Sequence, residues 1–164
     1  VNVRELAEVT RLVMKEAEEW MAKGRILFFF PEGSRSRSGT LQRFIPACAR
    51  YIEAGQDPIV FPLGTIGTEG LLGVEDEGIH ARNITLRVGA GISLGELSRG
   101  MEEMKAGEAR KALLDRLGFA VASLLPPEMQ GEYRLDGELE GELGPARQWA
   151  ADFFFHLRVL SNER

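Results

Sequence analysis

The chain has 164 residues, 44% of them hydrophobic, and this length and apolar content indicate one folded domain rather than a disordered segment. Its net charge of −5 argues against a nucleic-acid-binding protein, and its single cysteine excludes a disulfide framework. No apolar run reaches the roughly 18 residues of a spanning helix, so we expect any membrane contact to be peripheral or to be made by sequence upstream.

The N-terminal half of the chain predicts alternating helices and strands. In order, these are a helix at 4–23, a strand at 25–30, a helix at 41–54 and a strand at 58–64. The apolar stripe of the first helix consists of Leu6, Val9, Val13, Ala17 and Trp20. Because helices that alternate with strands imply parallel pairing through crossover connections, we predict an α/β fold with a mostly parallel sheet and a helical C-terminal part.

The C-terminal half predicts one strand and two helices. The strand, at 84–88, could be an edge strand, and the helix at 109–125 ends before Pro126 and Pro127. Residues 128–144 hold six acids against one base, a composition that favours a solvated loop without a chemical role. Pro145 then begins the last helix of the chain.

This last helix carries more aromatic surface than a single buried stripe needs. The predicted stripe consists of Trp149, Phe153, Leu157 and Leu160. Phe154 and Phe155 then point away from the stripe. We expect these two rings either to be buried in a groove of the domain or to meet a membrane interface or a second subunit.

Charge and hydroxyl groups are concentrated in the loop that follows the first predicted strand. The loop contains one carboxylate, Glu32, two guanidinium groups, Arg35 and Arg37, and a run of alternating serines. Residues 25–43 carry four arginines against one acid, although the chain as a whole is acidic. Because ligands bind at the carboxyl ends of strands in open α/β sheets, we predict a local anion-binding site in this loop.

The residues of this loop resemble a known motif. Residues 30–36, Phe-Pro-Glu-Gly-Ser-Arg-Ser, resemble the phosphate-binding block of the glycerolipid acyltransferases, the family that includes 1-acyl-glycerol-3-phosphate acyltransferase; only Ser34 departs, replacing a threonine. The resemblance spans roughly residues 4–134 and includes a second apolar block at 58–63. It implies a glycerol-3-phosphate acyltransferase-like fold, with 1–134 as the C-terminal portion of the acyltransferase domain and 135–164 as an acidic loop plus a C-terminal amphipathic helix.

The catalytic signature of that family does not occur in this sequence. It is a His and an Asp separated by four residues, upstream of the Glu-Gly block, whereas His80 and His156 both lie downstream of that block and have Thr85 and Ser161 five positions on. The chain also begins with Val. We therefore expect a C-terminal portion without catalytic residues of its own, inactive alone. The alternative is a non-catalytic module for a lipid phosphate or an acyl carrier that has lost the dyad.

The resemblance implies an acyltransferase of phospholipid biosynthesis. The acyl group would pass from acyl-CoA or acyl carrier protein, a co-substrate, to the hydroxyl of lysophosphatidate or a related lysophospholipid, with no cofactor or metal. The expected partners are the lysophospholipid acceptor, the acyl donor and a membrane surface, and no nucleic acid. The expected location is the cytoplasmic side of the cell membrane, where the protein would be peripheral or anchored by an upstream part.

The same resemblance implies which residues bind the acceptor phosphate. They are Glu32, Gly33, Ser34, Arg35 and Ser36. Arg37 and Arg4 are further candidates, and the alternative for each is an arginine that is simply solvated. Arg35 presents a planar, always-charged fork suited to a phosphate monoester. Glu32 would either hold Arg35 in one rotamer or accept a hydrogen bond from an acceptor hydroxyl. Gly33 would allow a sharp turn of the backbone.

Overall fold

The computed structural model describes residues 3–55, 57–68, 71 and 78–162, with side chains described for residues 8–155 of these ranges. The helices are α1 (Val3–Ala22), α2 (Ala49–Glu53), α3 (Leu94–Ser98), α4 (Ala106–Ala122) and α5 (Gly144–Asn162), and the strands are β1 (Ile59–Val60), β2 (Leu63–Ile66), β3 (Thr85–Val88) and β4 (Ile92–Ser93). Three single turns of 3-10 helix lie at Pro46–Cys48, Pro127–Met129 and Gly131–Tyr133.

The strands form an antiparallel ribbon in two parts. β1 pairs with β4, and β2 pairs with β3, so that Val60 lies opposite Ile92 and Leu63 lies opposite Val88. Between the two parts, two residues of one side, 61–62, lie opposite three of the other, 89–91, which makes a bulge. Both strand pairs in the described part of the chain are antiparallel, and the mostly parallel sheet remains a prediction.

The segment at 25–30, for which the sequence predicts a buried strand, belongs to no strand of the structure. Its side chains alternate instead between exposed and half-buried: Ile26 and Phe30 are 96% and 70% exposed, whereas Leu27 and Phe29 are half-buried. Phe29 packs against the edge of the core and lies 5.4 Å from the Tyr51 ring. The apolar run is therefore an extended segment with one face on the protein and the other in solvent.

The hydrophobic core is built around α4. Leu113, Leu114, Leu117 and Phe119 of this helix are buried. Helix α5 packs along α4 through Ala146 and Ala150, whose small side chains let the two helices approach closely, and α2 and α3 contact other parts of α4. The same core includes Tyr133, which is completely buried although it lies outside the longer helices.

Helix α1 forms as predicted, but its apolar stripe is mostly in solvent. Ala17 is buried, whereas Val9 and Trp20 are 56% and 49% exposed and the side chain of Leu6 lies outside the described residues. The Trp20 indole donates to the Glu16 carboxylate at 3.3 Å instead of entering the core. The stripe is exposed because α1 contacts the rest of the protein mainly through α2.

The aromatic side chains of α5 lie partly where the sequence predicts them. Trp149 and Phe153 stack 5.0 Å apart and are half-buried against the core. Phe154 also packs against the core, which agrees with the first alternative, burial in a groove, whereas Phe155 is 66% exposed. The side chains of Leu157 and Leu160 lie outside the described residues. Of the described helices, none combines the length and the hydropathy that crossing a bilayer requires.

Candidate anion-binding loop

The residues of the predicted anion site lie on one closed loop, which we define as residues 31–45 and call the anion loop. Gly33 and Gly39 both have positive φ, +70° and +73°, which favours glycine at these two turns. The N–H of Gly33 donates to the Phe30 carbonyl at 3.2 Å, which closes the first turn. The two glycines therefore bound the stretch that carries Arg35 and Arg37.

Two hydrogen bonds join the ends of the anion loop. The N–H of Ile45 donates to the Pro31 carbonyl at 2.9 Å, and the N–H of Gln42 donates to the Glu32 carboxylate at 2.7 Å. Burial raises the pKa of Glu32 above its ordinary value, and the Gln42 bond opposes part of that rise. The Glu32 carboxylate is thus bonded to the backbone of its own loop.

These bonds also explain why the helix predicted at 41–54 begins only at Pro46. In a helix that began at Leu41, the N–H groups of Phe44 and Ile45 would be the first to donate within the helix, but here they donate to the Tyr133 hydroxyl and the Pro31 carbonyl. A residue whose N–H is bonded elsewhere cannot donate to the carbonyl four residues earlier. The apolar periodicity of residues 41–45 therefore reflects burial of Leu41 and Phe44 in an extended segment.

The exposed part of the loop presents two arginines and a row of hydroxyls. Ser34, Arg35 and Arg37 are exposed, and Ser36 is half-buried. The Ser36 and Ser38 hydroxyls are 3.1 Å apart, and the Ser38 and Thr40 hydroxyls are 2.8 Å apart. Ser38 and Thr40 are not among the predicted site residues, although the alternation of hydroxyls at 36, 38 and 40 could have indicated them.

Arg43, which lies in the same loop, is not part of this exposed surface. It contributes to the positive count of residues 25–43, but its guanidinium binds the carboxylates of Asp115 at 3.4 Å and Glu142 at 2.6 Å. Arg4 lies in the first turn of α1, and its side chain lies outside the described residues. Among the described side chains of the predicted site, the exposed arginines are Arg35 and Arg37.

The acidic segment at 128–144 is more than a solvated loop. Glu142 also forms an ion pair with Lys111 of α4, so it bridges that helix and Arg43. The guanidinium of Arg147 donates to the carbonyls of Arg134 and Glu138 and so fixes the backbone of the segment. Part of the segment's negative charge is thus used to attach it to the core and to the anion loop.

A buried tyrosine connects the anion loop to α4. The N–H of Phe44 donates to the Tyr133 hydroxyl at 2.9 Å, and that hydroxyl donates to the buried Asp115 carboxylate at 3.3 Å. Burial, the largest cause, raises the pKa of Tyr133 well above its ordinary value of 10.0. The tyrosine is therefore neutral at physiological pH. No pattern near Tyr133 in the sequence indicates this contact.

Neither histidine of the sequence belongs to the anion loop. His80 is exposed, and its backbone N–H donates to the Leu71 carbonyl at 2.8 Å. The side chain of His156 lies outside the described residues. Nor do the described side chains include a group of three or more histidine, cysteine, aspartate or glutamate residues placed to hold a metal ion.

Comparisons of the chain with protein-family models, with curated proteins and with solved structures find no match. The resemblance of residues 30–36 to the acyltransferase block thus stands on the residues themselves. No comparison assigns a function to the anion loop, so its function is proposed from its geometry and charge.

Proposed function

We propose that the chain is the acceptor-binding portion of an acyltransferase of phospholipid biosynthesis, and that the anion loop holds the phosphate of lysophosphatidate or a related lysophospholipid. The observation that carries this proposal is the exposed pair Arg35 and Arg37 on a loop whose one acid, Glu32, binds the loop's own backbone. The Glu32 carboxylate is half-buried, and residues 33–40 carry two guanidinium groups and no carboxylate.

The chemistry of the two arginines fits a phosphate monoester. A guanidinium presents parallel N–H groups to two phosphate oxygens, and each charge-assisted hydrogen bond contributes roughly 1.5–3 kcal/mol. The row of hydroxyls at Ser36, Ser38 and Thr40 supplies further donors close by. A dianionic headgroup would thus be held by charge and by directed bonds, and the acyl acceptor hydroxyl would be placed relative to them.

In the proposed enzyme the acyl donor is acyl-CoA or acyl carrier protein, and the general base comes from outside this sequence. Proton transfer by a positioned base contributes roughly a hundred- to ten-thousand-fold to rate. Because the proposed acceptor is a lipid, the complete protein would lie at the cytoplasmic face of the cell membrane.

The second candidate function is a binding module for a lipid phosphate or an acyl carrier without catalysis. The observation that favours it is the absence of a His-x-x-x-x-Asp pair from the sequence, because the anion loop alone would suffice for binding. Upstream coding sequence separates the two functions. A His-x-x-x-x-Asp several tens of residues before Glu32 favours the enzyme, whereas a start codon directly before Val1 favours the module.

The binding proposal is tested by titrating the 164-residue chain with inorganic phosphate and with monomeric lysophosphatidate, followed by amide shifts in NMR. We expect saturable shifts in residues 34–40, and Arg35→Ala should weaken binding about tenfold. Arg50→Ala, at an exposed arginine of α2, is the matched control and should leave binding unchanged. Equal losses in the two variants, or equal binding of a monoacylglycerol without phosphate, would contradict the proposal.

A separate assay addresses catalysis by the chain as it stands. Acyl-CoA and lysophosphatidate incubated with the purified chain should give no phosphatidate above a boiled-protein control, because oriented binding without a base omits the proton transfer. Turnover above the control would show that a catalytic group lies within these 164 residues.

A further inference from the structure

The C-terminal end of the anion loop, residues 41–44, attaches it to the core. These residues are bonded to a short segment that follows α4, residues 129–133, which we call the clamp segment. The N-terminal end of the loop, through Pro31 and Glu32, is bonded in turn to residues 42 and 45. Whatever fixes residues 41–44 therefore contributes to the position of the loop that carries Arg35 and Arg37.

The clamp segment holds residues 41–44 by three hydrogen bonds, two between backbone groups and one to a side-chain hydroxyl. The N–H of Leu41 donates to the Met129 carbonyl at 2.9 Å, and the N–H of Glu132 donates to the Leu41 carbonyl at 3.2 Å. The third bond is that of the Phe44 N–H to the Tyr133 hydroxyl. The approach is close enough that Gly131, with φ of +51°, has no room for a Cβ against the Leu41 carbonyl.

The clamp segment is itself rigidly placed. The buried side chain of Gln130 donates to the Leu125 carbonyl at 3.2 Å and accepts from the N–H of Leu135 at 3.2 Å. The Tyr133 ring lies on Gly118 of α4, where any Cβ would overlap it, and contacts the Phe119 ring at 5.4 Å. The Tyr133 hydroxyl can therefore take only one position, between Phe44 and Asp115.

From this geometry we infer that Tyr133 is a positioning residue for the anion loop: its hydroxyl, fixed by Asp115, sets the place of Phe44 and thereby that of Arg35 and Arg37. The inference rests on the proposed function for the identity of the ligand, but not for the geometry. Tyr133 would act through the backbone of the loop and not by contact with the ligand.

The test compares Tyr133→Phe, which removes the hydroxyl and keeps the ring, with Leu97→Val, which thins the core at a completely buried residue of α3. For each full-length variant we would measure Tm, the affinity for inorganic phosphate, and the hydrogen exchange of the Gln42 and Ile45 amides. Tyr133→Phe should weaken phosphate binding about fivefold and speed both exchanges. Leu97→Val should lower Tm but leave affinity and the two exchange rates, relative to the core amides of α4, unchanged.

The outcomes separate this inference from the proposed function. Absence of phosphate and lysophosphatidate binding by the wild-type chain would overturn the proposed function, while the exchange of the Gln42 and Ile45 amides would still decide the role of Tyr133. Exchange that is unchanged in Tyr133→Phe would overturn the positioning role. So would a Leu97→Val variant that loses phosphate affinity as much as Tyr133→Phe does, because the effect would then be one of general stability.

Discussion

The Glu32 carboxylate accepts a hydrogen bond from the backbone N–H of Gln42 at 2.7 Å, across ten residues of sequence. This bond closes the base of the anion loop from the inside, next to the bond between Ile45 and Pro31. An acid in the middle of the predicted anion-binding motif is therefore compatible with anion binding, because its carboxylate is bonded to the backbone of the loop. For the same reason, Glu32 is the first residue to substitute.

Replacement of Glu32 should separate its hydrogen bond from its charge. Glu32→Ala leaves the Gln42 N–H without its partner in a half-buried place, which should cost about 1–3 kcal/mol of stability. Glu32→Gln keeps an amide oxygen in reach of that N–H and should cost less. Urea denaturation of both variants measures the difference, and equal losses would show that the bond is not what holds the loop closed.

The pH dependence of stability should carry the signature of Glu32. Burial raises its pKa in the folded chain above the ordinary value of 4.5, so the folded state binds the proton more tightly than the unfolded state does. The stabilisation of the protonated form is fully present below pH 4.5 and is lost as pH rises through the folded pKa. Relative to Glu32→Gln, the wild-type chain should therefore lose stability over that interval in a series of denaturation curves, whereas a relative gain would contradict the sign.

Substitution by lysine should affect phosphate affinity at Arg35 but not at Arg43. Arg43→Lys cannot reproduce the two-sided contact with Asp115 and Glu142, and it should cost about 1 kcal/mol of stability while leaving phosphate affinity within twofold. Arg35→Lys should weaken phosphate binding, because an ammonium cannot reproduce the bidentate fork. Calorimetric titration and thermal melts of the two variants test this, and a loss of affinity in both would place Arg43 in the site.

Gly131 and Gly100 form a matched pair that tests how closely the clamp segment approaches the anion loop. Both have positive φ, but a Cβ at Gly131 would overlap the Leu41 carbonyl, whereas nothing lies near a Cβ at Gly100. Gly100→Ala should cost only the conformational strain, about 1 kcal/mol. Gly131→Ala must also displace backbone and should cost about 3 kcal/mol or more. Similar denaturation midpoints would mean that the clamp segment yields easily.

Phe154 and Phe155 should behave differently although they are neighbours. Phe154 packs against the core, so Phe154→Ser should reduce the free energy of unfolding by about 2 kcal/mol or more and lower Tm clearly. Phe155 is 66% exposed, so Phe155→Ser should lower Tm less than Phe154→Ser does. Co-sedimentation with anionic vesicles then tests membrane contact: reduced binding of a folded Phe155→Ser chain supports it, and unchanged binding assigns no lipid contact to this ring.

The long helices follow from the sequence because their signals are local. Apolar periodicity and punctuation by Gly24, Pro126 and Pro145 place α1, α4 and α5 within a few residues of their ends. The segment at 41–45 does not follow, because its apolar spacing fits a helix and its N–H partners lie elsewhere in the fold. The bounds of an element are thus least predictable where tertiary bonds replace local ones.

The candidate site, too, can be predicted from the sequence only where its signals are local. The run from Glu32 to Arg37 is contiguous, so its charges and glycine turns can be read directly. The bond from Glu32 to Gln42 could have been considered at a distance of ten residues, but no pattern distinguishes Gln42 from its neighbours. Tyr133 and Asp115 carry no signal, since a buried tyrosine and a buried acid on other elements become meaningful only once the fold brings them to Phe44.

The bond between Phe44 and Tyr133 joins residues 89 positions apart in the chain. During synthesis the anion loop therefore precedes the residue that holds it by 89 positions. Closing a contact of such separation carries a larger entropic cost than closing a local turn. The two glycine turns of the loop can form from neighbouring residues alone, whereas the attachment of the loop to the core requires Tyr133 and α4 to be in place.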